Sequence, residues 1–367
     1  MSLTTFTSES VCAGHPDKIC DQISDAVLDA ALAIDKYSRV AVETLVTKNY
    51  VVMAGEVTTK ATLDYKSIAS NVIRELDYVD PVLHFTNLSP IITKIHTQSP
   101  EIAVGVDELG AGDQGMMFGY ACKESPELMP LPIAIAHALA MKMDHVRKTK
   151  LRYLRPDGKT QATIRYENGK INGIKTLILA VPHSEDVDLT TVKADLVEYV
   201  VIPVLEHYKM KIDEQNVIVN GTGVWHIGGP ASDTGVTGRK IVVDTYGGAA
   251  RVGGGAFSGK DPTKVDRSGA YAARYIAKNI VAAGLATQCE VRLAYFIGAK
   301  KPLMQEIETF GTEKKSIKII QEFMSSLLDT SVQGILDTLN LRRSLYFKTA
   351  SYGHFGRSQF PWEKIVS

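Results

Sequence analysis

The chain has 367 residues, of which 45% are hydrophobic and 22% charged, the composition of an ordinary globular protein with room for two or three domains. Basic and acidic residues balance at 41 each, so we expect no nucleic-acid or membrane surface. No apolar run approaches the roughly 18 residues of a membrane span, and the start lacks an apolar signal-peptide core. The four cysteines form no C-x-x-C pair, which argues against zinc or disulfides and favours a cytoplasmic location.

A unit of strand, turn, strand and helix is predicted three times, at a spacing of roughly 120 residues. Alternating residues predict the strands, and Asn168-Gly169 is typical of a tight hairpin turn. The copies comprise strands 39–47 and 50–59 with helix 65–76, strands 161–167 and 170–181 with helix 189–207, and strands 289–297 and 306–310 with helix 315–327. We therefore expect an α+β fold of three similar domains, each a mostly antiparallel sheet backed by helices. Their predicted ranges are 1–99, 100–226 with a glycine-rich loop near 99–115, and 227–367.

A helix is predicted to begin at Pro16, since proline suits the first helical turn and Asp17 faces the positive end of the helix dipole. An ordinary helix start explains these residues about as well as a binding site does. As a site, the helix N-terminus would bind an anion, with His15 and Asp17 contributing to phosphate and metal binding. Asp17 alone cannot hold magnesium, which typically takes one or two carboxylates together with water and substrate phosphates.

Three further carboxylates are weaker candidates. Glu43 and Glu56 lie on neighbouring predicted strands, where they would bind a cation or a substrate amine. A solvent-facing glutamate is the commoner explanation for such a residue. Asp113 lies among the glycines of the segment Gly110–Gly119 and would hold a ribose hydroxyl, although a plain turn explains that pattern better.

The segment Asp233–Lys240 ends in two adjacent cations, and we expect it to lead into a strand, Ile241–Thr245. Two cations at the start of a strand are usually solvated. Together with Lys260 and Lys264, however, Arg239 and Lys240 would make a four-cation cluster that suits a polyphosphate.

The run Gly253–Arg267 nearly matches a phosphate-binding P-loop. Gly254, Gly259 and Lys260 fit its G-x-x-x-x-G-K motif, but Asp261-Pro262 replaces the Ser or Thr that should begin a helix. We therefore predict an extended glycine loop whose lysines flank a triphosphate, with Asp266 available for magnesium and a helix over 267–279. A plain surface loop is disfavoured, because so many phosphate-compatible residues coincide.

Motifs of other catalytic classes are not found: the sequence has no H-E-x-x-H and no G-x-S-x-G motif. His226 and His354 are single histidines, which are more often structural than catalytic.

Three long motifs closely resemble the S-adenosylmethionine synthetase (methionine adenosyltransferase) family: Gly14-His15-Pro16-Asp17-Lys18, Gly110-Ala111-Gly112-Asp113-Gln114-Gly115, and Gly253 to Pro262. The resemblance runs from Phe6 to Arg357. It implies three domains with pseudo-threefold symmetry, and a homodimer with active sites between subunits, often paired into a homotetramer. It also implies the reaction of ATP, L-methionine and water to S-adenosylmethionine, phosphate and pyrophosphate, with magnesium and potassium.

The resemblance assigns roles position by position. Catalysis would depend on His15, Lys159, Arg239, Lys260 and Lys264. The nucleotide would be bound by His15, Asp113, Asp157, Lys159, Trp225, Asp233, Arg239, Lys240, Ala256 and Lys260. Methionine would be bound by Glu56, Gln98, Asp233 and Lys264. About two magnesium ions per site would be held by Asp17 and Asp266, and potassium by Glu43.

Two alternatives remain open from the residues alone, a P-loop phosphotransferase and an inactive regulatory subunit. Asp261-Pro262 argues against the first, and the intact charged residues argue against the second. An assay separates the first from adenosyl transfer, because a kinase would leave ADP instead of S-adenosylmethionine, phosphate and pyrophosphate.

The chain departs from the family pattern at two places. Val224-Trp225 replaces an Arg-Phe pair of many bacterial members, so we expect stacking on adenine to be retained and an arginine contact to be lost. The segment from Gln98 to Gly110, a mobile loop over the active site in the family, is several residues shorter than usual. We expect this to alter turnover or product inhibition and to leave the chemistry unchanged.

Overall fold

The computed structural model describes residues 2–97 and 110–366. The strands in these ranges are β1 Leu3–Val11, β2 Arg39–Thr47, β3 Tyr50–Thr58, β4 Ile91–His96, β5 Gly115–Cys122, β6 Lys159–Glu167, β7 Lys170–Ala180, β8 Val217–Val219, β9 Gly235–Val236, β10 Gln288–Tyr295 and β11 Met304–Glu308. The α-helices are α1 Pro16–Ile34, α2 Tyr65–Glu75, α3 Leu131–Thr149, α4 Leu189–Leu196, α5 Ile202–His207, α6 Ile241–Asp244, α7 Val265–Ala282, α8 Ile317–Leu327 and α9 Val332–Thr338. A π-helical segment, Val197–Val201, joins α4 to α5.

The strands form three sheets with the orders β1-β6-β7-β8, β4-β3-β2-β9 and β11-β10-β5. Neighbours are antiparallel except for β7 with β8 and β3 with β4, which are parallel. Helices cover the sheets, since α1 packs against β2, α3 against β1 and β6, and α7 against β5 and β10. The predicted α+β class, with mostly antiparallel sheets backed by helices, is confirmed.

The predicted hairpins are present as β2-β3, β6-β7 and β10-β11. The turn between β6 and β7 has positive φ angles at both central residues, 49° at Asn168 and 76° at Gly169. Such angles match the twist of two-residue hairpins and explain why Asn-Gly predicts this turn. Helices follow the hairpins as predicted, as α2, α4 to α5, and α8.

Each sheet also contains a strand from a distant part of the chain. Leu3 of β1 lies opposite Glu167 of β6, Gly235 of β9 opposite Val46 of β2, and Gly115 of β5 opposite Tyr295 of β10. The sheets therefore do not follow the ranges 1–99, 100–226 and 227–367 strand by strand. The division of the chain at these boundaries stays a prediction.

The predicted strand Ile241–Thr245 is wrong, because these residues begin with the helical turn α6. The N–H of Asp244 donates to the carbonyl of Lys240 at 2.8 Å, which closes the turn. The turn places the Asp244 carboxylate in the interior, where it pairs with the buried Lys18 ammonium. This long-range ion pair outweighs the strand preference of the β-branched residues before it. The helix predicted at 267–279 is longer than expected and begins at Val265, so Asp266 lies in its first turn.

Helix α1 begins as predicted and passes through the core. The His15 side chain caps it by accepting a hydrogen bond from the N–H of Asp17 at 3.2 Å. Ile19, Ile23 and Val27 are fully buried in the main hydrophobic core. Because Asp17 is also buried, the start of α1 lies inside the protein and not at its surface. In the part of the chain that the structure describes, no helix has the length and hydropathy to cross a membrane.

The buried histidine of α3 provides a test of this packing. His137 Nδ1 lies 2.8 Å from Ser10 Oγ of β1, and burial lowers the pKa of His137 to about 3, with Arg357 and Lys18 contributing to the shift. Below about pH 6.5 the imidazole of His137 is therefore protonated in the unfolded chain but stays neutral in the folded chain. The free energy of unfolding consequently decreases as the pH falls. We expect His137→Gln to be less stable than the unchanged protein at pH 7.5, and this deficit to shrink by about 2 kcal/mol at pH 5. Urea unfolding at a fixed protein concentration measures it, and a deficit independent of pH would contradict the expectation.

Candidate active site

The first group of predicted site residues lies at the start of α1. Asp17 accepts hydrogen bonds from the N–H of Val236 at 3.0 Å and from Lys240 Nζ at 2.6 Å. Burial opposes ionisation of Asp17, but these two hydrogen bonds lower its pKa below the ordinary value. The neighbouring His15 is 1% exposed, and burial lowers its pKa to about 3, with Lys240 adding to the shift. At neutral pH the group thus combines a neutral imidazole, a carboxylate and an ammonium.

Asp157 extends this first group. Its carboxyl oxygens accept the N–H groups of Gly158 at 2.7 Å and Gly229 at 2.8 Å. Burial nevertheless raises the pKa of Asp157 to about 6, because its desolvation outweighs these two hydrogen bonds. A Cβ atom added to Gly228 would lie 2.9 Å from the Trp225 ring and 3.1 Å from Asp157 Cβ, so the indole and the carboxyl flank one glycine.

Three more predicted residues lie near the first group. Lys159 begins β6 and is exposed, and its charge contributes to lowering the pKa of His15. Asp233 is exposed, and its charge contributes to raising the pKa of Asp157. Arg239 precedes Lys240 and is exposed. These three side chains are therefore accessible to a ligand in solution.

The second group surrounds the glycine loop that precedes α7. Lys260 pairs with Asp266, and Lys264 pairs with Asp261. Burial raises the pKa of Asp266, and the nearby carboxylate of Asp113 adds to this effect while Lys260 opposes it. The second group thus places two ammonium groups beside carboxylates of the kind that hold hard metal ions.

Both groups are supported by the same edge of β2. Gly235 and Val236 of β9 pair with Val46 and Leu45 on this edge. Further along it, the Gly259 carbonyl accepts the N–H of Val42 at 3.0 Å, and Lys260 forms a bridge with Ala41. The segments 235–240 and 259–264 therefore run along one strand.

Glu43 lies on β2 between these two docking points, with its side chain on the outward face. Partial burial raises its pKa, and the carboxylate of Glu56 on β3 adds to this effect. Glu56 Oε1 also lies 3.3 Å from His96 Nε2. The outward face of this sheet thus carries two carboxylates near each other.

The two groups touch where Gly238 packs against Ala256. Among residues 2–97 and 110–366, no hydrogen bond or ion pair joins a predicted residue of one group to a predicted residue of the other. Asp17 and Asp266, both predicted as magnesium ligands, are thus in separate groups. Gln98 and most of the glycine-rich loop near 99–115 lie outside the described residues.

The carboxylates fit magnesium that arrives together with a phosphate ligand. No group of three or more His, Cys, Asp or Glu side chains in the described ranges is arranged to hold a metal ion by itself. Asp17 and Asp266 each contact a lysine instead. Since magnesium often takes only one or two carboxylates and completes its shell with phosphate and water, this donor set suits it.

Two aspartates that are not among the predicted site residues hold the segments with the predicted cations in place. Asp21 accepts the N–H of Gly238 at 2.8 Å, and Asp25 accepts the N–H of Gly259 at 2.9 Å. Both are fully buried on α1, one and two turns beyond Asp17. The signal in the sequence is an aspartate at every fourth position of a predicted helix.

The two single histidines, His226 and His354, make contacts within the fold. His354 is fully buried with its Nδ1 atom 2.7 Å from the Tyr271 hydroxyl. His226 Nδ1 lies 3.0 Å from the carbonyl oxygen of His183. Both contacts hold segments of the fold together.

Comparison with known proteins finds matches over nearly the whole chain. Family models of S-adenosylmethionine synthetase match in order, the N-terminal domain at residues 3–100, the central domain at 108–225 and the C-terminal domain at 227–364. The S-adenosylmethionine synthase of Desulforudis audaxviator is 49% identical, over 100% of this chain and 97% of that protein. That of Parafrankia sp. is 51% identical, over 99% and 96%. S-adenosylmethionine synthase 1 of Rhodospirillum rubrum is 52% identical, over 98% and 95%.

Proposed function

The chain belongs to the S-adenosylmethionine synthetase family and is a methionine adenosyltransferase, and from this premise we propose how its residues perform the reaction. Its substrates are ATP and methionine, and its family generally uses magnesium and potassium. One observation carries the proposal: the segments 235–240 and 259–264, which contain Lys240, Lys260 and Lys264, both dock on one edge of β2 and so present cations on the same strand.

In this proposal the thioether sulfur of methionine attacks C5′ of ATP, and the whole triphosphate departs. The sulfur has no proton to lose, so the step needs no general base. The charge on the leaving triphosphate is stabilised by preorganised cations, which is often the largest contribution to catalysis. Lys159, Arg239, Lys240, Lys260 and Lys264 supply these cations. The tripolyphosphate is then hydrolysed to phosphate and pyrophosphate.

His15 acts beside the leaving oxygen as a neutral group. Its lowered pKa keeps the imidazole uncharged at neutral pH, so it hydrogen-bonds to the phosphates without taking up a proton. Asp17 and Asp266 would hold magnesium, which would neutralise phosphate charge when bound. The lysines that now contact these two carboxylates are then free to turn to the phosphates.

The remaining residues orient the substrates. Adenine stacks on Trp225, and Asp113, Asp157, Asp233 and the backbone at Ala256 contact the nucleotide. Glu56, Gln98, Asp233 and Lys264 bind the methionine. Glu43, whose pKa is raised by partial burial and by the carboxylate of Glu56, binds potassium. With these substrates, we place the enzyme in the cytoplasm.

Each active site is proposed to form between two subunits of a homodimer, which pairs further into a homotetramer. The separation of the predicted residues into two groups supports this arrangement. Leu45, Val52 and Ala54 add apolar surface to the outward sheet face around Glu43 and Glu56, which favours docking with a second copy.

A complementation experiment tests the shared site. Lys240→Met impairs the first group and Lys260→Met the second, and each homodimer is expected to be nearly inactive. If sites bridge subunits, a mixed dimer has one intact site, so co-expression restores about a quarter of the normal activity.

The matched control is co-expression of Lys260→Met with Lys264→Met. Both substitutions lie in the second group, so every site of the mixed dimer is damaged and no activity returns. If neither mixture regains activity, although co-purification through two different affinity tags shows that mixed dimers form, the site lies within one chain and this proposal is wrong.

A further inference from the structure

Aspartates occupy every fourth position along α1, at Asp17, Asp21, Asp25 and Asp29. Residues four apart in an α-helix lie above one another on nearly the same face. Each of these carboxylates accepts a hydrogen bond from a backbone N–H outside α1, the first two from the segment 235–240, and we call the four residues the aspartate ladder.

Asp21 connects the ladder to the segment that contains Arg239 and Lys240. Its Oδ1 atom accepts the N–H of Gly238 at 2.8 Å, and its Oδ2 atom accepts Lys18 Nζ at 2.9 Å. Lys18 also pairs with Asp244, so its ammonium has a second carboxylate. Gly238 has a φ of 78°, a conformation that side chains disfavour, and it packs against Ala256. Asp21 thus fixes the backbone directly before the two cations.

Asp25 connects the ladder to the segment that contains Lys260. Its Oδ1 atom accepts the N–H of Gly259 at 2.9 Å, and both of its oxygens accept Arg267 at 2.7 Å. Arg267 also donates to the carbonyl of Lys260 at 3.1 Å. The backbone of Lys260 is therefore held by Arg267 on one side and by the bridge to β2 on the other.

We propose that Asp21 and Asp25 are positioning residues for adenosyl transfer, each of which fixes the backbone of one cation-bearing segment against α1. This inference depends on the proposed triphosphate site, because it assigns no ligand contact to either aspartate. It explains why a buried helix carries carboxylates whose desolvation is costly unless each is hydrogen-bonded.

The test compares Asp21→Ala with Asp29→Ala. The first removes the acceptor for Gly238 and leaves Lys18 paired with Asp244. The second removes the acceptor for Leu345, Tyr346 and Phe347, which lie outside the predicted site, and so it controls for the loss of a ladder hydrogen bond. Asp25 is left intact, because removing it would strand the buried Arg267 charge and threaten the fold.

We expect Asp21→Ala to lower kcat/KM for ATP at least about tenfold, the equivalent of one hydrogen bond to a charged group. The KM for ATP should rise, whereas Asp29→Ala should lower the thermal midpoint and leave that KM unchanged. Asp21→Asn keeps an oxygen for the Gly238 N–H and should recover most of the KM. A purely structural role would lower the active fraction, and hence kcat, without changing the KM for ATP, and that result would overturn the inference.

Lys260→Met, measured in parallel, separates this inference from the site itself. Normal kinetics in Asp21→Ala beside a strongly impaired Lys260→Met would overturn only the positioning role. Normal kinetics in both variants would overturn the triphosphate site and the inference with it.

Discussion

Asp17→Asn is expected to lower kcat by about a thousandfold while the fold remains intact. The asparagine oxygen still accepts the Val236 N–H, so the contact between α1 and β9 persists. The lost charge was the partner of Lys240 and the proposed ligand of magnesium. Since the pKa of Asp17 lies below the ordinary value, its carboxylate is ionised throughout the neutral range in the unchanged enzyme. The variant therefore differs from it by one negative charge at every pH in that range. Steady-state turnover at saturating ATP, methionine and magnesium measures the effect.

The same substitution at Asp188 is the matched control. Asp188 is exposed and caps α4 by accepting the N–H of Thr191 at 3.0 Å, a role that asparagine also fills. Asp188→Asn should keep normal turnover and a normal thermal midpoint. Near-normal turnover in Asp17→Asn would contradict the magnesium role, and a circular-dichroism spectrum of unfolded protein would show that Asp17 serves the fold instead.

Lys260→Met is expected to reduce kcat/KM for ATP by a few hundredfold, about 3–4 kcal/mol of transition-state stabilisation. Methionine keeps the length of the aliphatic stem but removes the ammonium that would face the departing triphosphate. The Asp266 carboxylate, whose pKa burial raises, loses its partner and becomes easier to protonate. Adding magnesium should therefore restore only part of the activity.

Lys170→Met serves as the control for Lys260→Met. Lys170 is exposed at the start of β7, beside the Asn168-Gly169 turn, and no role at the site is proposed for it. Its variant should have unchanged kinetic constants. If only the KM for methionine rises in Lys260→Met, the role assigned to Lys260 is wrong, and the residue belongs to the methionine side of the site instead of the triphosphate side.

Local patterns predicted the elements whose cause is itself local. The alternation from Arg39 to Thr47 predicts β2 because one face of the strand is buried, and Asn168-Gly169 predicts its turn because both residues accept positive φ. The prediction of a strand at Ile241–Thr245 was wrong for the opposite reason. The conformation of these residues is set by an ion pair between Asp244 and Lys18, more than 200 residues earlier in the sequence, which no local pattern contains.

In the site, too, the features that could be predicted are those that depend on residue types alone. Glycines, lysines and Asp266 of the loop before α7 predict phosphate chemistry because residue types alone indicate it. The contact of Asp21 with the N–H of Gly238 was not predicted, because a backbone donor leaves no trace in the residue types. The pairing of each proposed magnesium carboxylate with a lysine was also hidden, since it depends on how loops fold back onto α1.

The exchange of strands between sheets has a consequence for synthesis on the ribosome. A nascent chain that ends before Lys159 contains β1 without β6, β2 without β9 and β5 without β10. Each of these strands then has an edge of unpaired N–H and C=O groups, which is a template for association with other chains. The three thirds of the chain cannot mature one after another as they emerge, and the sheets close only when distant segments meet. Fragments cut at the family-domain boundaries should therefore aggregate, whereas fragments that are co-expressed and exchange their strands should regain a soluble complex.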